Sequence, residues 1–298
     1  MQRFVIPSLD KTINTTPCTV ALGNFDGVHL AHQSLLNTAK ETENASAVFT
    51  FSEEVPHFLT TTEERIQQLE QNGIDLLFLV SFSLVKSLSC QEFVLFLKEK
   101  LACRHVVCGY NFRFGKGALG NAQTLADLSK SHGLACTVLP EITQNGQAIS
   151  SSRIRSLLQD GNVDTVSTLL GRPHSLSGIV QKGYSIGRRL QVPTLNLHIS
   201  PNTAKIRHGV YVSQTLIGRM MYPSITNIGN NPTFERDTVT CETYLLDTGG
   251  NFYEKAVTVQ LLSFLREEKR FDSFDELKEA IENDLARARA FHQIHPKP

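Results

Sequence analysis

The stretch Ala21–Leu36, ALGNFDGVHLAHQSLL, decides the fold of the first half of this chain. An apolar run, Thr19–Leu22, stops at Gly23, Gly27 follows, and an amphipathic pattern begins beyond it. That order predicts a buried strand, a tight turn and the start of a helix. His29 and His32 stand in the first turns of the predicted helix, and their i, i+3 spacing puts both on one face. A helix N-terminus offers unpaired N–H groups and the positive end of a dipole, which together suit an anion such as phosphate. Two imidazoles beside such a pocket donate hydrogen bonds to a phosphate without a permanent charge. A plain structural role competes with this reading. So does half of a zinc site, although no Cys or acidic ligand lies nearby at a usual zinc spacing.

Working outward, the first half alternates. Strands are predicted at Thr19–Leu22, Ala47–Phe51, Leu76–Val80, His105–Cys108 and Ala135–Leu139. Helical patterns lie between them at His32–Thr42, Thr62–Gln71, Cys90–Leu101 and Thr124–His132. Strands alternating with helices predict a parallel sheet covered on both faces. Ligands of such sheets gather at the carboxyl ends of the strands. Gly23 and Gly109 both follow strand ends, so their loops are expected to share one crevice.

The second half has a different rhythm. After Gly171-Arg172-Pro173 come short alternating segments: Ser177–Gln181, His208–Gln214, Met221–Ile228, Thr238–Leu246 and Ala256–Phe264. Gly249-Gly250-Asn251 is a turn signal between the last two. An antiparallel sheet or small barrel follows from this. The tail, Ser273–His292, carries Phe274, Leu277, Ile281, Leu285 and Ala288 at helical spacing. The domain boundary is expected between Gly161 and Pro173.

Composition narrows the partners. At 298 residues two domains are expected. A net charge of zero argues against nucleic acid or an anionic membrane as principal partner. The cysteines Cys18, Cys90, Cys103, Cys108, Cys136 and Cys241 form no C-x-x-C pair and read as reduced core filler of a cytoplasmic protein. The opening MQRFVIPSLDK has no apolar signal region. The run Leu76–Val85 is too short to span a bilayer and reads as a strand buried on both faces.

Two further segments carry chemistry. Ala148–Leu158, AISSSRIRSLL, sets serines and arginines at a predicted helix start. An N-cap with solvated arginines is the plain reading. A polyphosphate clamp is the functional one, with Arg153 neutralising a leaving pyrophosphate. His105–Gly120, HVVCGYNFRFGKGALG, is a strand followed by a Gly-rich loop with two phenylalanines, which suits flanking of a flat ring.

Taken in order, GNFDGVHLAHQ, GYNFRFG and ISSSRIR resemble the adenylyltransferase half of prokaryotic bifunctional riboflavin kinase/FAD synthetases. The second half resembles the kinase domain of the same family through GIVQKGYSIGRRLQVPTLN (178–196), HGVYV (208–212), NIGNNPTF (227–234), CETYLLD (241–247) and FLREEKRF (264–271). The similarity covers nearly the whole chain. It implies an α/β parallel-sheet nucleotidyltransferase-like domain over residues 1–165. An antiparallel β-barrel kinase domain with a C-terminal helix is implied over 166–298.

The resemblance also implies roles. His29 and His32 contact ATP phosphates. Gly23, Asn24, Phe25, Asp26 and Gly27 form the nucleotide loop. Gly109, Asn111 and Phe112 lie near the adenine. Ser150, Ser151, Ser152 and Arg153 hold the triphosphate. In the kinase half, Gly178, Lys182, Gly183 and Pro193 bind ATP, and Thr194 and Asn196 meet Mg2+. Glu242 is the general base, and Arg266 lies near the flavin. ATP is co-substrate at both sites, and riboflavin, FMN and FAD are substrates or products. The small molecules are the expected partners, with no nucleic acid and no membrane, and weak self-association is allowed.

The residues support part of this independently. In an extended segment Thr194 and Asn196 share a face and present two hard oxygen ligands together. Glu242 shares its strand face with Thr240 and Tyr244, opposite Cys241 and Thr243; an exposed strand Glu is the plain alternative. Departures from the family are local. Ala31 replaces the glycine of H-x-G-H, and Ser52–His57 stands shortened where D-P-H-P is usual. Gln191, Val192 and Leu195 replace Gly, an aromatic residue and Ala. Two other functions are weighed: a monofunctional FAD synthetase with an impaired kinase half, and a non-catalytic flavin- or nucleotide-binding protein.

Overall fold

The computed structural model of the protein describes residues 1–13, 15–181, 194–230 and 239–295. The chain forms two compact units, Met1–Ser151 and Ser152–Pro298.

The first unit runs β1 (Gln2–Ile6), β2 (Cys18–Leu22), α1 (Leu30–Lys40), β3 (Ala45–Phe51), α2 (Thr62–Gln71), β4 (Leu76–Val80), α3 (Phe82–Val85), α4 (Cys90–Lys100) and β5 (Cys103–Gly109). A small pair, β6 (Arg113–Phe114) and β7 (Gly120–Asn121), precedes α5 (Ala122–Ser131) and β8 (Ala135–Leu139). A last hairpin joins β9 (Thr143–Gln144) to β10 (Gln147–Ala148). The main sheet has the order β1-β4-β3-β2-β5-β8, with every pairing parallel. Strands β2 and β4 are buried at every position, because helices cover both faces. Val20, Leu22 and Phe78 pack with Phe93 and Leu97 on one side. Ala21, Val48 and Leu77 pack with Leu36 and Leu69 on the other.

From β2 the chain adds β3 and β4 in one direction, then β5 and β8 in the other. The order therefore reverses between β2 and β5. The loops after these two strands part at that point and leave a crevice beyond the strand ends.

The second unit begins within α6 (Ser151–Gln159) and runs through α7 (Val163–Leu170), β11 (His174–Ile179), β12 (Leu195–His198), β13 (Gly209–Ile217), β14 (Met220–Asn230), β15 (Val239–Leu245), β16 (Ala256–Arg266) and α8 (Phe274–Ile294). Its sheet, β11-β16-β13-β14-β15-β12, is antiparallel throughout. The Gln181 N–H donates to the Asn196 carbonyl at 3.0 Å, so the chain after β11 meets β12 and nearly closes a barrel. Alternation along β13 gives two different faces. Val210 and Val212 face α8, where Leu285 and Ala288 cover them. Ser213 and Thr215 face the interior with Ser224, Thr226 and Thr243, all fully buried. Their hydroxyls bond one another at 2.7–2.8 Å, and this mutual satisfaction makes a polar interior tolerable.

Gly209 has a positional reason. Its φ is +150°, and a Cβ there would fall 2.3 Å from the Arg266 carbonyl. Only glycine lets β13 approach β16 at its irregular end.

Several elements differ from the sequence-based expectation. The run Leu76–Val85 is a strand only to Val80; Ser81 then caps the short α3. The edge strand β1 and the helix α7 were not anticipated. β1 exposes Val5 on the sheet edge, so it shows no clean alternation. α7 carries its apolar residues close together and ends at Gly171, in the left-handed region. In α8 the packed stripe begins at Ile281, and Phe274 stays half exposed.

Candidate active sites

In the first unit the crevice is a cavity of about 680 Å³, within the usual size of a small-molecule site. Gly23 and Asn24 line it after β2, Gly109, Asn111 and Phe112 after β5, and Ser150 and Ser151 from the segment beyond β10. His29 and His32 line the same wall. The two loops that sequence placed at strand ends thus share one crevice.

The loop 23–29 is conformationally costly. Phe25, Gly27 and Val28 all have positive φ, at 52°, 81° and 38°. Such backbone costs of order 1–3 kcal/mol per non-glycine residue and persists only when neighbours hold it. Asp26 holds it. Its buried carboxylate accepts from the N–H groups of Leu59 and Thr60 at 2.9 and 3.2 Å. The Gly27 N–H donates to Thr60 Oγ1 at 3.1 Å, and Ser151 Oγ donates to the Asp26 carbonyl at 3.0 Å. Phe25, Asp26 and Gly27 therefore form the wall behind the crevice, whereas Gly23 and Asn24 face it.

His29 is the N-cap of α1, and its Nδ1 accepts from the His32 N–H at 3.3 Å. An Nδ1 that accepts carries no proton, so His29 is neutral with its proton on Nε2. The His32 ring stacks on it, with centroids 3.6 Å apart and planes 12° from parallel. The Nδ1 of His32 is sealed from solvent with no hydrogen-bond partner among the described residues. A buried lone pair without a partner costs less than a buried N–H, which places the His32 proton on Nε2 as well. Burial, then the neighbouring His29 and Arg65, hold the His32 imidazole well below its usual pKa of 6.5. In each ring Nε2 is thus the nitrogen left to donate.

Beyond the histidines the crevice becomes aromatic. Phe51 and Phe82 meet edge to face at 5.2 Å, and Phe112 stacks on Phe114 at 5.8 Å. The altered segment after Phe51 ties this end together: Glu53 accepts from Ser81 Oγ and from the Phe82 N–H at 2.5 and 3.0 Å. At the rim Tyr110 donates to Glu141. Ala31 also lines the crevice. Ser152 and Arg153 belong to the second unit, in the turn of α6 that Ser151 opens.

Within the second unit, register builds the other candidate site. Asn196 on β12 pairs with Glu242 on β15, and Glu242 pairs with Asn227 on β14. Directly opposed residues stand about 5 Å apart, so these three side chains form one row on one face. Leu195 is buried on the opposite face, which leaves Thr194 beside Asn196. The Asn196 Nδ2 lies 3.1 Å from the Thr194 carbonyl and 3.4 Å from its Oγ1. Asn227 Nδ2 donates to Glu268 at 3.3 Å. Glu268 crowds Gly229, where a Cβ would meet its Oε1 at 1.8 Å. Burial and the Glu268 charge push the Glu242 carboxyl above the usual carboxylate range. Asn227 and Glu268 escaped the sequence reading, although both stand in motifs it singled out.

Arg266 is already engaged. Its guanidinium grips the buried Asp284 of α8 at 2.7–3.1 Å and lies over the Phe271 ring. Gly178 lies on β11, with Leu197 of β12 at 3.4 Å from where its Cβ would be. Lys182, Gly183 and Pro193, with Gln191 and Val192, lie outside the described residues.

A parallel sheet with a crevice at its switch point and a nearly closed antiparallel barrel carrying the Asn196–Glu242–Asn227 row define a two-domain transferase. A family model described as FAD synthetase matches residues 11–153, and one described as riboflavin kinase matches 170–292. The bifunctional riboflavin kinase/FMN adenylyltransferase of Bacillus subtilis is 34% identical over 288 residues, covering 90% of each chain. Its counterpart from Escherichia coli K12 is 31% identical over 290 residues, covering 92% of each. A crystal structure of a macrolide-efflux protein from Streptococcus pneumoniae superposes with a TM-score of 0.88 at 29% identity, covering 97% of this chain and 99% of that one. Among the described residues no helix is long and apolar enough to cross a membrane. The chain belongs to the bifunctional riboflavin kinase/FMN adenylyltransferase family.

Proposed function

We propose that the protein phosphorylates riboflavin to FMN in residues 166–298 and adenylylates FMN to FAD in residues 1–165, using ATP in both steps. The observation that supports this reading is that each unit has its own polar constellation: the stacked His29/His32 pair in the crevice of one, the Asn196–Glu242–Asn227 row of the other.

In the kinase step Glu242 takes the proton of the ribityl 5′-hydroxyl, whose oxygen bonds to the γ-phosphorus as the bond to ADP breaks. A carboxylate made more basic by burial suits this role. Thr194 and Asn196 supply hard oxygens on one face and fit Mg2+; the amide presents either end by a half-turn. The ion, when bound, neutralises charge on the transferring phosphates. Asn227 and Glu268 set the far end of the row. Arg266 supports the flavin side by holding α8 against β16.

In the adenylyl step an FMN phosphate oxygen attacks the α-phosphorus and pyrophosphate leaves. The nucleophile is already an anion, so no base is required. His29 and His32 donate Nε2–H bonds to phosphate oxygens, and Ser150–Ser152 with Arg153 hold the departing pyrophosphate. Gly109, Asn111 and Phe112 face the adenine, and the aromatic end takes the isoalloxazine ring. The partners are these small molecules, without nucleic acid or membrane, in the cytoplasm.

The test is to mix protein, ATP, Mg2+ and riboflavin and to separate the flavins by chromatography. FMN followed by FAD is expected. FAD formed only from supplied FMN would reduce the function to an FAD synthetase, and neither product would make the protein a binder.

A further inference from the structure

Arg65 is a cation in an unexpected place. It lies on α2, on the buried stripe with Ile66 and Leu69, and is only 3% exposed. It does not line the crevice, yet it bonds two residues that do. Nη1 donates to the Asn24 carbonyl at 2.9 Å, and Nη2 donates to the Phe51 carbonyl at 2.7 Å. Asn24 belongs to the phosphate wall after β2, and Phe51 to the aromatic wall after β3. Thr50 Oγ1 shares the Asn24 carbonyl at 3.0 Å.

We propose that Arg65 is a positioning residue for FMN adenylylation: a buried guanidinium fork that clamps the phosphate wall to the flavin wall and sets a fixed positive charge beneath the histidine pair. The proposal rests on the first unit being the adenylylation site. The fork matters because one planar group reaches two carbonyls in set directions, which the single ammonium of a lysine does not reproduce. The charge matters because a buried cation raises the cost of a second one nearby.

The groups around His32 fit this account. His29 caps its own helix, Phe25 packs against its ring at 5.1 Å, and Arg65 reaches it electrostatically from α2. Burial lowers the Arg65 pKa from its high ordinary value, and Asp26 and Glu54 oppose that shift and favour its charged form. The positive field in this wall is therefore carried by a group that never titrates in the working range. Burial and this charge together keep the His32 midpoint low.

Three measurements on the full chain test the clamp: FAD formed from FMN, FMN formed from riboflavin as an internal check of folding, and the NMR titration of His32. Arg65→Gln removes fork and charge. Adenylylation should fall by on the order of a hundredfold, the usual worth of an electrostatic group at a phosphate site. The His32 midpoint should rise toward its ordinary value, and FMN formation should be unchanged. Arg65→Lys keeps the charge alone, so adenylylation should fall by roughly tenfold while the His32 midpoint stays low. Wild-type adenylylation in either variant, or an unmoved His32 midpoint in Arg65→Gln, overturns the proposal. If Arg65→Gln does not fold, Arg65→Lys still decides the fork. Absence of FAD formation by the unaltered protein would overturn the proposed function instead.

Discussion

The two units build their candidate sites by different physical means. In the first, the site lies in loops beyond the ends of parallel strands. Its groups come from segments far apart in sequence, and a turn with positive φ at Phe25 and Val28 is held by Asp26 and Ser151. In the second, the site is a row across strands: Asn196, Glu242 and Asn227 are neighbours because the ladder pairs them. The loop site depends on buried polar ties. The ladder site depends on register, where a one-residue slip would turn Glu242 into the barrel interior. The chemistry follows the same division. In the proposed reactions, donors without a base suffice where the nucleophile is already a phosphate anion, and a base is needed where it is a hydroxyl.

The sharpest way to break this comparison is to remove the histidine pair. His29→Ala/His32→Ala should lower FAD formation by more than about a thousandfold, since each lost donor typically costs a hundredfold or more. FMN formation should persist, as followed by flavin chromatography. Equal loss of both products in a folded double variant would merge the two sites into one.

Glu242→Gln probes the ladder site from the other side. It keeps size and hydrogen bonding but cannot accept a proton. Riboflavin phosphorylation should fall by about two to three decades, the lower part of the range for a general base, because the phosphoryl transition state is loose. FMN adenylylation should be untouched. Unchanged kinase turnover would return Glu242 to an ordinary strand residue.

The smallest expected effect concerns stability, where the units are alike. Each holds a histidine whose pKa burial lowers: His32 in the first and His174 in the second. His174 is 2% exposed, its Nε2 is without a partner among the described residues, and burial, then Arg172, push its pKa down to about 4. Unfolded, it would titrate near 6.5. Below that value the unfolded chain takes a proton that the folded chain refuses. Stability is therefore full above about pH 6.5 and is lost as pH falls toward 4, by about 3 kcal/mol in all. Denaturant unfolding at pH 7 and pH 4.5 should show this loss in the unaltered protein and a smaller one in His174→Phe. Identical losses in both would mean that His174 is not the group responsible.

Much of this was legible beforehand for local reasons. The strands β2, β4 and β8 announce themselves as apolar runs, and the Gly23–Gly27 turn punctuates the first helix. The face of Glu242 follows from the two-residue period of a strand, since Tyr244 lies with it and Cys241 and Thr243 lie opposite. The i, i+3 spacing of His29 and His32 already brought their rings together. These features depend on residues a few positions apart, and backbone geometry fixes their relation.

Only the tertiary structure decided which distant residues meet. Arg65 sits among charged helix neighbours and looks solvated, yet it reaches carbonyls at Asn24 and Phe51, 41 and 14 residues away. Arg266 was expected near the flavin, and it is gripped by Asp284 from a helix 18 residues on. The Asn196–Glu242–Asn227 row needs three strands in register, and Glu268 against Gly229 needs a fourth segment beside them. Sequence alone determined the period, the turns and the chemistry available. Strand order, register and the partners of buried charges were set by the tertiary structure, because a buried ion or carbonyl must find its partner wherever packing places one.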